Sequence, residues 1–94
     1  MRIPLYWTDN AIISFQAIVD LIESNWGEKE TRKFVKRTNK VLDNIASQPY
    51  LYKASTVDNV RQGIISKQTS LFYEIFNNSI SLLFFYDNRQ EPFI

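Results

Sequence analysis

The stretch Thr69 to Glu91, TSLFYEIFNNSISLLFFYDNRQE, constrains the chain more than any other. Two runs, Leu71 to Phe76 and Ile80 to Tyr86, are built from the aromatic and branched residues that suit a pleated surface. Between them stand Asn77 and Asn78, which tolerate the positive φ angles of a tight primed turn. The pattern predicts a hairpin with those two asparagines as its loop. In that register Ile75 faces Ile80, Tyr73 faces Leu82 and Leu71 faces Phe84, giving one wholly apolar side. The other side pairs Ser70 with Phe85, Phe72 with Leu83, Glu74 with Ser81 and Phe76 with Ser79, and is mixed. One side calls for a helical layer, and the other is half wet.

The segments before the hairpin supply that layer. Ile3 to Trp7 reads as a short strand, with Pro4 suited to an edge, and Thr8-Asp9-Asn10 offers capping side chains for a helix. From Asn10 to Trp26 the apolar residues Ala11, Ile12, Phe15, Ile18, Val19, Ile22 and Trp26 fall on one helical face. Ile13, Ala17 and Leu21 recur at one-turn spacing on the opposite side, which ought to be polar. Gly27 interrupts the pattern, and a second helix follows with Glu28 and Glu30 in its first turn, where the helix dipole favours acid. Its stripe, Phe34, Val35, Thr38, Val41, Leu42 and Ile45, lies opposite Lys29, Arg32, Lys33, Lys36, Arg37 and Lys40. Pro49 ends it. Leu51 to Asn59 reads as a surface connector, Val60 to Ser66 as a strand, and Lys67-Gln68 as the turn into Thr69; a two-residue turn there would set Arg61 opposite Glu74.

The expected architecture is α+β in the order β-α-α-β-β-β, a helical hairpin packed on one face of a mainly antiparallel sheet. With 94 residues, 45% of them apolar and 22% charged, a single domain spanning residues 1–94 is expected rather than a disordered chain. The sequence has no cysteine and no histidine, which removes thiol chemistry, the commonest general base and the commonest zinc ligands, so no cofactor and no metal are expected. No segment reaches the length of a membrane span and no signal-peptide pattern is present, so a cytoplasmic location without membrane contact is the expectation. A net charge of +1 lacks the strongly basic footprint of a dedicated DNA binder, although positive charge is concentrated from Lys29 to Lys40.

Several segments together resemble the RelE/ParE superfamily of bacterial toxins, in particular the subgroup common in Bacteroidetes. They are Ile3 to Trp7, TDNA at 8–11, NWGEKE at 25–30, Asn44 to Pro49, Val60-Arg61, SKQTSLFY at 66–73 and FYDNRQ at 85–90. The resemblance covers essentially the whole chain. It implies the toxin of a type II toxin-antitoxin module for plasmid stabilisation or addiction, neutralised by a directly bound cognate antitoxin in a hetero-oligomer. Members of this superfamily share a fold while some cleave messenger RNA on the ribosome and others poison DNA gyrase.

The resemblance to the RNA-cleaving branch breaks residue by residue. Arg61 stands at one of that branch's strand lysines, but Gly63 occupies the second lysine position and Ser70 the central arginine position. The terminal arginine is either Arg89, one place early, or replaced by Gln90. A further RNase subgroup relies on a glutamate and a histidine, and histidine is absent. The implied action is therefore inhibition of DNA gyrase, leaning away from an enzyme. The alternatives are a ribosome-dependent endoribonuclease using Arg61, Lys67, Tyr86 and Arg89, and a non-toxic binding module on the same fold. The expected target-binding set is Arg61, Ser70, Phe72, Glu74, Arg89 and Gln90 on the mixed side of the sheet. The expected antitoxin-binding ridge is Ile13, Ala17 and Leu21, where an amphipathic helix could pack.

Overall fold

A computed structural model describes residues 2–57 and 59–89. The chain runs β1 (Leu5–Trp7), α1 (Asp9–Ser47), β2 (Lys53–Ala54), β3 (Val60–Ile64), β4 (Thr69–Phe76) and β5 (Ser79–Asp87). The sheet order is β1-β5-β4-β3-β2; β1 runs parallel to β5 and the other pairs are antiparallel. The fold is α+β, with helix on one face of a five-stranded mixed sheet. It carries an unforeseen two-residue strand, β2, inside what the sequence presents as the connector from Leu51 to Asn59. So short a segment shows no periodicity, and its pairing to Arg61 and Gln62 comes from the chain folding back.

The helical segment is continuous by hydrogen bonding but broken at Gly27, where φ is 89° and ψ is 179°. That region is open essentially to glycine alone. A straight helix of 39 residues would run about 58 Å, against a longest molecular dimension of 39 Å, so the break folds the second arm back along the first. Phe15 of the first arm stacks on Phe34 of the second, ring centres 5.6 Å apart. Thr8 caps the start, its hydroxyl oxygen accepting from the Ala11 N–H at 3.1 Å.

The hairpin turn has Asn77 at φ 51° and Asn78 at φ 60°, the two positive angles expected of them. The register begins as the sequence predicts, with Phe76 opposite Ser79, Ile75 opposite Ile80, Glu74 opposite Ser81 and Tyr73 opposite Leu82. It then shifts. Phe72 pairs with Phe84, Leu71 with Phe85, Ser70 with Tyr86 and Thr69 with Asp87, leaving Leu83 as the extra residue of a bulge. The pairings of Leu71 with Phe84, Phe72 with Leu83 and Ser70 with Phe85 are thereby corrected. The physical reason lies in the unbroken run Leu82-Leu83-Phe84-Phe85, whose composition cannot fix which residue faces in. The bulge turns both Leu82 and Phe85 toward the helices, and the helix start supplies partners for the disturbed backbone. Thr8 Oγ1 donates to the carbonyls of Leu82 (2.7 Å) and Leu83 (3.1 Å), and Ser14 Oγ accepts from the Phe85 N–H at 2.8 Å.

The core lies between the helical arms and one sheet face: Ile18, Ile22, Phe34 and Ile45 against Leu71, Tyr73, Ile80, Leu82 and Phe85. Phe85 touches Trp7 and Phe15 at 5.6 and 5.1 Å between ring centres, so it is a core aromatic and not part of the mixed side on which the regular register placed it. Gly63 faces the second arm, where an added Cβ would stand 3.5 Å from Ile45 and 3.6 Å from Val41, ordinary contact distances that an alanine would meet without a clash. Ile12 and Trp26, expected in the first arm's stripe, are about half exposed because they lie at its margins.

Candidate functional site

The sheet face turned away from the helices is uncovered and aromatic. At its centre Phe72 stacks on Phe84, ring centres 4.9 Å apart and 22° between planes. Around that stack the register places Tyr86 beside Ser70 and Ile64, and Tyr6 beside Ser81 and Glu74. Tyr6, Ile64, Phe76, Phe84 and Tyr86 are all exposed. Contiguous apolar surface of this kind marks interaction sites in soluble proteins. The bulge made it, since a regular ladder would have buried Phe84 and exposed Phe85.

Of the residues assigned to this face from sequence, Ser70, Phe72 and Glu74 share it. Arg61 does not. It pairs with Tyr73, Val60 being the residue opposite Glu74, so it points to the helix side and makes no cross-strand pair with Glu74. There it holds the segment after α1: Nη1 donates to the carbonyl of Tyr52 at 2.6 Å and that of Tyr50 at 3.3 Å, and the guanidinium lies over the Tyr50 ring at 5.0 Å. Tyr73 completes this corner by donating its hydroxyl to the carbonyl of Pro49 at 2.7 Å. Burial pushes the Tyr73 phenol up to about 12, opposed by the nearby Arg61 charge.

Arg89 also belongs to the helix side. Its Nε and Nη2 grip the two carboxylate oxygens of Asp87 at 2.9 and 2.6 Å, and its backbone N–H donates to Asp87 Oδ1 at 2.8 Å. Thr69 donates its hydroxyl to the same carboxylate, which is fully buried. The Arg89 guanidinium lies 5.3 Å from the Trp26 ring centre. Burial pushes the Asp87 carboxyl up, but the fork of Arg89 and the hydroxyl of Thr69 outweigh it and hold the group below its ordinary value. The same bonds raise Arg89. Among the described residues no buried side-chain nitrogen or oxygen lacks a partner. Gln90 lies outside the described residues.

The set Arg61, Lys67, Tyr86 and Arg89 is thus dispersed. Tyr86 is on the open face, Lys67 is exposed in the β3–β4 turn, and Arg61 and Arg89 occupy opposite ends of the helix-side face. Arg61 is level with Tyr73 and Arg89 with Thr69, four residues apart along β4 and so about 13 Å. The helix ridge is accessible, with Ile13 66% exposed, Ala17 exposed and Leu21 half-buried. Sequence reasoning missed Phe84 and Tyr6 on the open face; a bulge leaves no periodic signal. It also missed Thr69 and Asp87, whose pairing needs the shifted register.

No family model matches the chain, and no curated protein sequence matches it. Solved structures do match. A chain of the chromosomal ParDE TA system from P. aeruginosa superposes with a TM-score of 0.77 at 19% identity, covering 92% of this chain and 96% of that one. The YoeB dimer from Staphylococcus aureus gives 0.62 at 17%, covering 92% and 97%. The E. coli DinJ-YafQ toxin-antitoxin complex gives 0.57 at 11%, covering 95% and 96%. At these identities the likeness is one of backbone architecture over nearly the full length of both chains. The fold of this chain is that of the RelE/ParE superfamily toxins.

Proposed function

We propose that the chain is the toxin of a type II toxin-antitoxin module, neutralised by a cognate antitoxin bound directly to it and acting on DNA gyrase. The observation that carries the toxin reading is full-length likeness to chains from the ParDE, YoeB-YefM and DinJ-YafQ systems. Gyrase is favoured over ribosome-bound message by the side chains. The charged and phenolic groups that an RNA-cleaving reading would use point to different places, and Arg61 and Arg89 are committed to Tyr52 and Asp87.

In this reading the target is met by the open sheet face through Phe72, Phe84, Tyr86, Ser70 and Glu74. The antitoxin packs along Ile13, Ala17 and Leu21. Controlled expression in a bacterium, with gyrase-linked DNA breaks and messenger RNA cleavage followed in the same cells, tests the proposal. DNA breaks with intact message are expected. Codon-positioned cuts lost on Arg61→Ala would establish the ribosome-dependent endoribonuclease instead, and unaffected growth would leave a binding module on the same fold.

A further inference from the structure

On the helix side, a cleft of about 290 Å³ opens between the second helical arm and the β3–β4 turn, reached by Trp26, Lys33, Phe34, Arg37, Gln68 and Arg89. Its charges are unequal: three cations, Lys33, Arg37 and Arg89, against Glu30. Glu30 is drawn to Lys33 at 3.4 Å, a surface pair that a ligand can displace at little cost. Arg89 is held rigid by Asp87, yet its Nη1 has no acceptor among the described residues. Arg37 has no hydrogen bond or ion pair among them either. Two guanidinium groups therefore present unused donors to one concavity, one of them already fixed in place. Ile22 and Phe34 lie behind it but are almost fully buried, so the apolar surface it offers is that of Trp26.

We infer that this cleft is a docking site for an acidic peptide segment, its carboxylates taken by Arg37 and Arg89 and a neighbouring aliphatic side chain lodged against Trp26. Charge complementarity selects an anion, and the lining selects a peptide. A phosphodiester backbone would set its repeating charge against Glu30, and the net charge of +1 gives little of the long-range field that nucleic-acid binding uses. One face of the Trp26 indole, which could have stacked a base, is taken by Arg89. The inference does not rest on the toxin reading and holds for any partner carrying such a segment.

The test selects short random peptides displayed on a surface against the purified full chain, then measures the selected peptides in solution. Sequences rich in Asp and Glu beside Leu, Ile or Val are expected. Arg37→Ala should weaken them about tenfold or more, the loss of one charge-assisted contact. Lys36→Ala and Lys40→Ala remove the same charge from the same exposed arm but lie off the cleft, and should change affinity less than about twofold. Arg37 is exposed, so its variant keeps the fold, which a thermal melt checks. Equal weakening by all three variants, selected peptides without acidic excess, or no selected peptide would overturn the inference. So would a single-stranded RNA or duplex DNA oligonucleotide that displaces the peptide and binds more tightly at the same ionic strength.

Discussion

Replacing Arg89 by Ala should unfold this protein more readily before it reveals anything about a target. The substitution strips the fully buried Asp87 carboxylate of two hydrogen bonds and its counter-charge, leaving the Thr69 hydroxyl and one backbone N–H. Breaking a buried pair from one side costs about 3–5 kcal/mol, and the two remaining donors together with the partly exposed arginine place this case near 3. For a domain of this size total stability is about 5–14 kcal/mol, so the midpoint of thermal unfolding should fall by about 12–24 °C. Urea titration of Arg89→Ala, Asp87→Ala and the double variant would measure the coupling; the double should cost less than the sum by about 1.5–3 kcal/mol. The pH dependence follows from the same contacts. Asp87 titrates lower in the folded chain than its ordinary 3.8, so its contribution is complete above that value and is lost as pH falls through the depressed one. Arg89→Ala should flatten that acid limb. An Arg89→Ala protein as stable as the parent, with an unchanged acid limb, would refute the reasoning.

Other substitutions separate structure from function. Gly27→Ala should destabilise by about 1–3 kcal/mol in urea, because a Cβ strains the backbone at φ 89° although space around it is open. Tyr73→Phe leaves the Pro49 carbonyl without its donor and should cost about 1–3 kcal/mol. Because the folded phenol is raised from 10.0 to about 12, the parent should lose stability as pH rises between those values, by about 2–3 kcal/mol, and the Phe variant should not. On the helix ridge, Ile13→Glu with Leu21→Glu should leave the fold intact and weaken antitoxin binding by several orders of magnitude, from about 1.5–3 kcal/mol of lost burial per residue plus the cost of burying charge. An affinity titration against the antitoxin with the double variant reads this directly.

What the sequence made legible follows from periodicity. The second arm's stripe and its basic face emerge as the spacing of Phe34, Thr38, Val41 and Ile45 requires, and Asn77-Asn78 specify their own turn. Where apolar residues run without alternation the reading fails. Four of them, Leu82 to Phe85, hide a bulge that exchanges the roles of Phe84 and Phe85 and redraws the open face. Charged residues were misplaced for a related reason. The sequence puts Arg61 and Arg89 with the mixed sheet face, and only the three-dimensional contacts show both on the helix side, one pinning the carbonyls of Tyr50 and Tyr52 and the other neutralising a buried Asp87.

The central claim is that the aromatic sheet face engages DNA gyrase. Purified protein added to gyrase, plasmid DNA and ATP should accumulate cleaved DNA trapped on the enzyme. Phe72→Ala with Phe84→Ala, which truncates the exposed stack, should abolish that cleavage while the protein still melts cooperatively and still binds its antitoxin. Cleaved DNA undiminished by the double variant, or gyrase unaffected by the parent protein while ribosome-bound message is cut, would contradict the account.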